Sequence, residues 1–188
     1  EQYVKAIELD PTQAYYYTNA GLAYERLQAY DEAEQFYNKA LEVDDTYAEA
    51  YNSRGNIHYN RQEYQEAEAD YLRALDLEPD NPIYLRNLGS NLNKLGRPEK
   101  AMHYFEKSIR SDPGFADAYN SRGNLFFNEG RYEEAMADYR RAIELKNDEA
   151  VFHRNLGLCY EKTGSIDKAM TAYSNAIERN PTYADAYN

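Results

Sequence analysis

Glycine stands at positions 21, 55, 89, 123 and 157, a spacing of 34 residues held five times. Alanine follows twelve residues after each, at Ala33, Ala67, Ala101, Ala135 and Ala169. Small residues locked to a 34-residue period mark a helical repeat array, in which no unit can bury its apolar face alone and each must stack on its neighbours. The repeating residues therefore build the frame. Function has to be sought in the residues that differ between units.

Composition narrows the partners. The chain has 188 residues and a net charge of −12, which argues against nucleic acid or an anionic membrane reached through bulk electrostatics. It has no apolar run of 18 residues, and hence no predicted membrane span. No leader is visible, although the chain opens in mid-element. The single cysteine, Cys159, excludes an internal disulfide and fits a reducing compartment such as the cytoplasm without requiring one. The aromatic content is almost all tyrosine, 21 Tyr against 6 Phe.

With Gly21 as position 8, complete units span 14–47, 48–81, 82–115, 116–149 and 150–183. Each reads as a helical hairpin: an apolar-periodic stretch, a short break and a second such stretch. The break carries Gly96, Gly130 and Gly164, suited to a left-handed helix C-terminus, and Gln28 and Gln62 in the other two units. Pro11, Pro79, Pro113 and Pro181 fall at position 32, where they stop the second helix; Asp45 and Asn147 fill that slot elsewhere. Small residues at positions 8, 20 and 27 permit close helix crossings, and aromatics such as Tyr17, Tyr51 and Tyr119 (position 4) and Tyr37, Tyr71, Phe105, Tyr139 and Tyr173 (position 24) are the expected knobs.

This pattern of aromatic-4, Gly-8, aromatic-11, Ala-20, aromatic-24, Ala-27 and Pro-32 resembles the tetratricopeptide repeat (TPR) family over nearly the whole chain. Departures are local: Arg54 and Arg122 at position 7, His58 at position 11, and Pro98 opening a second helix, where a first-turn proline is tolerated. Arg at position 7 is expected to lay its stem over neighbouring tyrosines. The resemblance implies an all-α, right-handed superhelical solenoid whose first helices line a concave groove through positions 5, 9 and 13. Residues 1–13 read as the second half of a preceding unit and 184–188 as the start of a further one, with no polar capping helix. The expectation is a segment of a longer array.

A second period of 68 residues runs through the first. AEAYNSRGNIHYN (48–60) and ADAYNSRGNLFFN (116–128) are near copies, and PIYLRNLG (82–89) pairs with AVFHRNLG (150–157). One unit type carries Asn52, Asn56 and Asn60, then Asn120, Asn124 and Asn128, at positions 5, 9 and 13. The other carries Arg86, Ser90 and Lys94, then Arg154, Leu158 and Lys162. These positions share one helix face. Asparagine is a poor helix former, so three on one face, twice, call for a reason. Asn can bracket a peptide amide with donor and acceptor, and Arg and Lys can meet carboxylates. The five first helices (14–27, 48–61, 82–95, 116–129, 150–163) hold eight basic residues against five acids within an acidic chain.

The predicted peptide-binding residues are therefore Asn52, Asn56, Asn60, Arg86, Lys94, Asn120, Asn124, Asn128, Arg154 and Lys162. The pattern is similar to the asparagine ladder of the O-linked GlcNAc transferase superhelix, and partly to the co-chaperone carboxylate clamp, without the full clamp across three units. Helices 8–10 Å apart and a strand rise of about 3.3 Å give roughly three ligand residues per unit.

Catalytic signatures are absent: there is no P-loop, GxGxxG, HExxH, GxSxG or CxxC. His58, His103 and His153 lack metal-ligand spacing with Cys159, and Glu66, Glu68 and Asp70 read as a solvated helix face. No cofactor is expected. The sequence favours a non-catalytic scaffold binding an extended, polar or acidic peptide or a partner domain in the groove. Two readings stand beside it: end-to-end self-association into a fibre, and the TPR arm of a larger enzyme such as a glycosyltransferase.

Overall fold

The structure, a computed structural model, describes residues 2–181; the expected start of a further unit at 184–188 lies outside them. The described residues form eleven helices: α1 (Gln2–Leu9), α2 (Ala14–Arg26), α3 (Tyr30–Val43), α4 (Ala48–Asn60), α5 (Tyr64–Leu77), α6 (Pro82–Lys94), α7 (Pro98–Ser111), α8 (Ala116–Asn128), α9 (Tyr132–Leu145), α10 (Ala150–Lys162) and α11 (Ile166–Arg179). No strand occurs among the described residues. Each first helix ends one residue short of its predicted end, and Leu27, Arg61, Leu95, Glu129 and Thr163 become C-caps.

The reason is a shared stop. In every break the residue at position 15 takes a left-handed conformation: Gln28 at φ 60°, Gln62 at 64°, Gly96 at 71°, Gly130 at 75° and Gly164 at 75°. Two backbone bonds close each turn. In the first hairpin Gln28 N–H donates to Glu25 at 2.8 Å and Ala29 N–H to Tyr24 at 3.0 Å. The same 5→2 and 6→1 pair recurs at the other four breaks, the Schellman arrangement that satisfies otherwise orphaned carbonyls. Gln28 and Gln62 hold this geometry against the Cβ repulsion that glycine escapes.

Packing divides the chain into two compact units, one running through Arg97 and the other beginning at Pro98. In the first, α2/α3 and α4/α5 form antiparallel hairpins, α6 packs on α5, and α4 touches both α2 and α6. In the second, α8/α9 and α10/α11 are the hairpins, α7 packs on α8, and α10 contacts α8 and α9. Small residues set the spacing. Ala14, Ala40 and Ala50 form one buried cluster under Tyr17, and Ala116, Ala142 and Phe152 another under Tyr119.

Position 8 is the tightest point. A Cβ added to Gly55 would lie 2.8 Å from Tyr71 Cε1, and one added to Gly123 2.8 Å from Tyr139 Cε1. Gly21 faces Tyr37 and Gly157 faces Tyr173 more closely still. The glycines are thus sockets for the position-24 rings, as the knob pattern predicted.

Candidate functional site

Asn52, Asn56 and Asn60 sit at four-residue intervals on α4, so their side chains follow one stripe. Two of them are drawn into a network that the sequence reading missed. Asn87, at position 6 of α6, donates from Nδ2 to Asn52 Oδ1 at 2.8 Å and to Asn56 Oδ1 at 3.2 Å. The Tyr71 hydroxyl on α5 donates to the same Asn56 oxygen at 2.9 Å. The second unit repeats this atom for atom. Asn155 donates to Asn120 at 2.9 Å and Asn124 at 3.2 Å, and Tyr139 to Asn124 at 2.8 Å. Asn60 and Asn128 are exposed.

The carbonyls of Asn56 and Asn124 thus spend both acceptor positions inside the protein, while their amide NH2 groups have no partner among the described residues. The expectation that these asparagines bracket a peptide amide with donor and acceptor is corrected. The internal network leaves them a donor only. The signal for the missing residues lay in the longer period, since RNLG places Asn87 and Asn155 at the same position of both copies.

Around this face the cations differ in role. Arg86 joins Asn56, Asn60, Asn87, Ser90 and Glu25 in lining a cleft of about 360 Å³ in the first unit. Arg154 is half-buried, and its Nε is buried with no hydrogen-bond partner among the described residues. Lys94 and Lys162 stand exposed in the last turns of α6 and α10.

The basic excess counted on first helices is smaller than it looked. Arg54 is held bidentately by Asp70, at 2.8 and 2.7 Å, and also donates to Asn38 at 2.6 Å. Arg122 pairs with Asp138 at 2.8 Å through both nitrogens. Arg61 pairs with Asp31 and Glu34 on α3. The guanidinium of Arg54 lies over the Tyr51 ring at 5.7 Å and that of Arg122 over Tyr119 at 5.8 Å, so the charged head meets the tyrosine that the sequence reading assigns to the stem. The ion pair was not foreseen. Asp70 is therefore no part of a solvated face: it is 6% exposed and committed to Arg54, while Glu68 pairs with exposed Arg97.

The remaining titratable groups are built into the frame. His58 Nδ1 lies 2.7 Å from Glu63, and His103 is exposed against the Tyr104 ring. His153 is buried with Nε2 on the Asn147 carbonyl at 3.0 Å, and burial lowers its pKa below the ordinary imidazole value. Burial pushes the Cys159 thiol up to about 12, which makes it a poor nucleophile. Among the described residues no group of three His, Cys, Asp or Glu could hold a metal ion, and no helix is long and apolar enough to cross a membrane.

The tyrosines of the network carry a pH dependence. Burial raises the pKa of Tyr71 and Tyr139 well above 10, and burial together with the Glu161 bond raises Tyr173 to about 12. Above about pH 10 the unfolded chain ionises these hydroxyls while the folded chain keeps them protonated. Stability is full below that value and falls as pH rises from 10 toward 12. Thermal unfolding followed by circular dichroism should show the melting temperature declining from about pH 10, less steeply in a Tyr71→Phe/Tyr139→Phe variant. A flat profile to pH 11.5 contradicts this.

Four models of the tetratricopeptide repeat match the sequence, at residues 14–47 and 85–115, 48–81 and 150–183, 104–137, and 123–164. The chain belongs to the TPR family. No curated protein matches it. Among solved structures it is similar to YrrB, a TPR protein with an unusual peptide-binding site, at 28% identity and a TM-score of 0.66, covering 100% of this chain and 96% of that one. It matches TTC0263, a thermophilic TPR protein of Thermus thermophilus, at 20% identity and TM-score 0.83 over 93% and 95% of the two chains. It also matches the Cut9-Hcn1 structure at 20% identity and TM-score 0.90, covering 98% of this chain but 37% of that one. The last two likenesses speak to the fold alone.

Proposed function

We propose that this chain is a non-catalytic interaction module in which the asparagine face of each unit binds an extended, acidic segment of a partner protein. The observation that carries the reading is the one-sided donor character of Asn56 and Asn124. Asn56 and Asn124 have internally satisfied carbonyls and uncommitted NH2 groups, and in the second unit the half-buried Arg154 follows on α10, the helix that carries Asn155. Side chains that offer only donors, as Asn56 and Asn124 do, suit backbone carbonyls and carboxylates, because a buried unmatched donor costs about 1–3 kcal/mol. The likeness to YrrB, whose structure is described as having a peptide-binding site, supports a peptide as the ligand class.

The test must separate binding from folding, because Ala at these positions would strand Tyr71, Tyr139, Asn87 and Asn155. Asn56→Asp and Asn124→Asp keep the accepting oxygen but replace the donor with a negative charge. With a capped, fluorescent Asp/Glu-rich decapeptide as probe, the double variant should keep its helicity and lose at least tenfold in affinity. Equal binding by the variant and the parent overturns the proposal.

A further inference from the structure

Positions 4, 7, 23 and 26 are filled in two hairpins by one four-part plug. In α4/α5 these are Tyr51, Arg54, Asp70 and Arg73, with both guanidinium groups within 5.8 Å of the Tyr51 ring centre and the Arg54–Asp70 pair closing the crevice between the helices. In α8/α9 they are Tyr119, Arg122, Asp138 and Arg141, arranged alike around Tyr119. In α10/α11 the same positions hold His153, Leu156, Ala172 and Asn175. Every member is smaller or uncharged, and the crevice is open as a cleft of about 340 Å³. Leu156 and Ala172 form its apolar floor, with 9% and 4% of their surfaces exposed.

The rim is as distinctive as the floor. Tyr160 lines the cleft and is flanked by two cations. Arg140 donates to its hydroxyl at 2.9 Å and lies 5.8 Å from the ring centre, and the Lys168 ammonium lies 5.8 Å from it on the edge of the cleft. Neither cation has an ion pair among the described residues, whereas Arg131, Arg141 and Lys146 in the same unit are each paired with a glutamate. Asp167 is the one carboxylate on the lining, so the two cations outnumber it. At 100° per residue, Leu156 and Tyr160 lie on the side of α10 away from Arg154, Leu158 and Lys162. The cleft is thus separate from the asparagine face and independent of the reading given to it.

We propose that this cleft is a second docking site, taking an apolar side chain from a short acidic segment of a partner protein, with the flanking carboxylates meeting Arg140 and Lys168. A cleft of about 340 Å³ has room for one Phe or Leu side chain on its apolar floor. The unpaired cations select against a neutral or basic context, since like charges oppose one another at close range and opposite charges steer and hold the segment.

The sister hairpins supply the decisive variant. Leu156→Arg with Ala172→Asp installs the central ion pair of the plug, which two other hairpins already carry, so the fold is expected to tolerate it. The probe is a capped hexapeptide with Phe-Leu at its centre and Asp and Glu on either side, followed by amide shifts of the isotopically labelled full chain. The parent should show shifts centred on Leu156, Tyr160, Lys168 and Ala172, and the plugged variant should bind at least tenfold more weakly. Arg140→Glu with Lys168→Glu, a surface change, should do the same, and a peptide with Lys in place of its acids should not bind. The proposal is overturned by any of four results: no shifts at millimolar peptide, binding as tight as the parent's by either variant, shifts confined to the asparagine face, or self-association of the parent that the plugged variant abolishes, which assigns the cleft to a second copy of the chain.

Discussion

Replacing Asp138 with Ala is expected to cost about 3 kcal/mol, measured by urea unfolding of the whole chain. The figure follows from what the change leaves behind. Asp138 is only 5% exposed and engages Arg122 through two bonds of 2.8 Å, so its removal strands a half-buried guanidinium between Tyr119 and Phe126. Breaking one partner of a buried pair typically costs about 3–5 kcal/mol, and the 22% exposure of the Arg122 side chain argues for the lower end. The same logic predicts a rescue. Arg122→Leu together with Asp138→Ala removes both charges and recreates the pair found at Leu156 and Ala172, so it should recover most of the loss. If the double variant is no more stable than Asp138→Ala alone, the stranded charge is not the cause.

Gly123→Val should be at least as damaging, at about 3 kcal/mol. A Cβ at this position would lie 2.8 Å from Tyr139 Cε1 and 3.3 Å from Asp138 Cβ, and valine adds two methyl groups beyond it. Glycine in a helix interior ordinarily gives up about 1 kcal/mol against alanine, and that gain offsets part of the clash for Gly123→Ala. For valine the propensity gain shrinks, while overpacking of a well-filled site costs about 1–3 kcal/mol and occasionally more. Tyr139 cannot simply swing aside, because its hydroxyl is anchored on Asn124. The substitution should therefore also disturb the asparagine network, visible as shifted side-chain amide resonances of Asn124 and Asn155. Unchanged resonances together with unchanged stability would falsify this coupling.

The frame was readable because it repeats. Position 8 had to be small wherever position 24 was a ring, and five copies made the rule visible without coordinates. Helix termini were off by one residue because the Schellman stop consumes the residue before the left-handed position, which a periodicity argument counts as helical. The site was only half legible. Positions 5, 9 and 13 identify a face from helical spacing alone, but Asn87 and Asn155 sit at position 6, one step off that face, and reach the asparagines of the preceding hairpin. Contacts between residues 31 and 35 apart depend on how hairpins stack, which no single helix encodes. The Arg54–Asp70 and Arg122–Asp138 pairs escaped for the same reason. An acidic residue on a second helix looks solvated until its partner on the first is in place.

The bridge from Asn87 to Asn52 and Asn56, with its copy from Asn155, also bears on how such a chain can be lengthened or shortened. Among the described residues the bridge is made by Asn87 and Asn155, whereas Asn19 at the same position donates to the Tyr15 carbonyl; the acceptors lie in the hairpins with Asn52 and Asn56 or Asn120 and Asn124, which carry Ser53 and Ser121 where a bridge of their own would start. Tandem copies of a single hairpin type would keep every glycine socket and still lack each bridge. The smallest piece that can be inserted, deleted or reused in a synthetic array without rewiring the asparagines is a pair of hairpins. Gene duplication in steps of two leaves the hydrogen-bond grammar intact, and an odd step introduces an error at the seam.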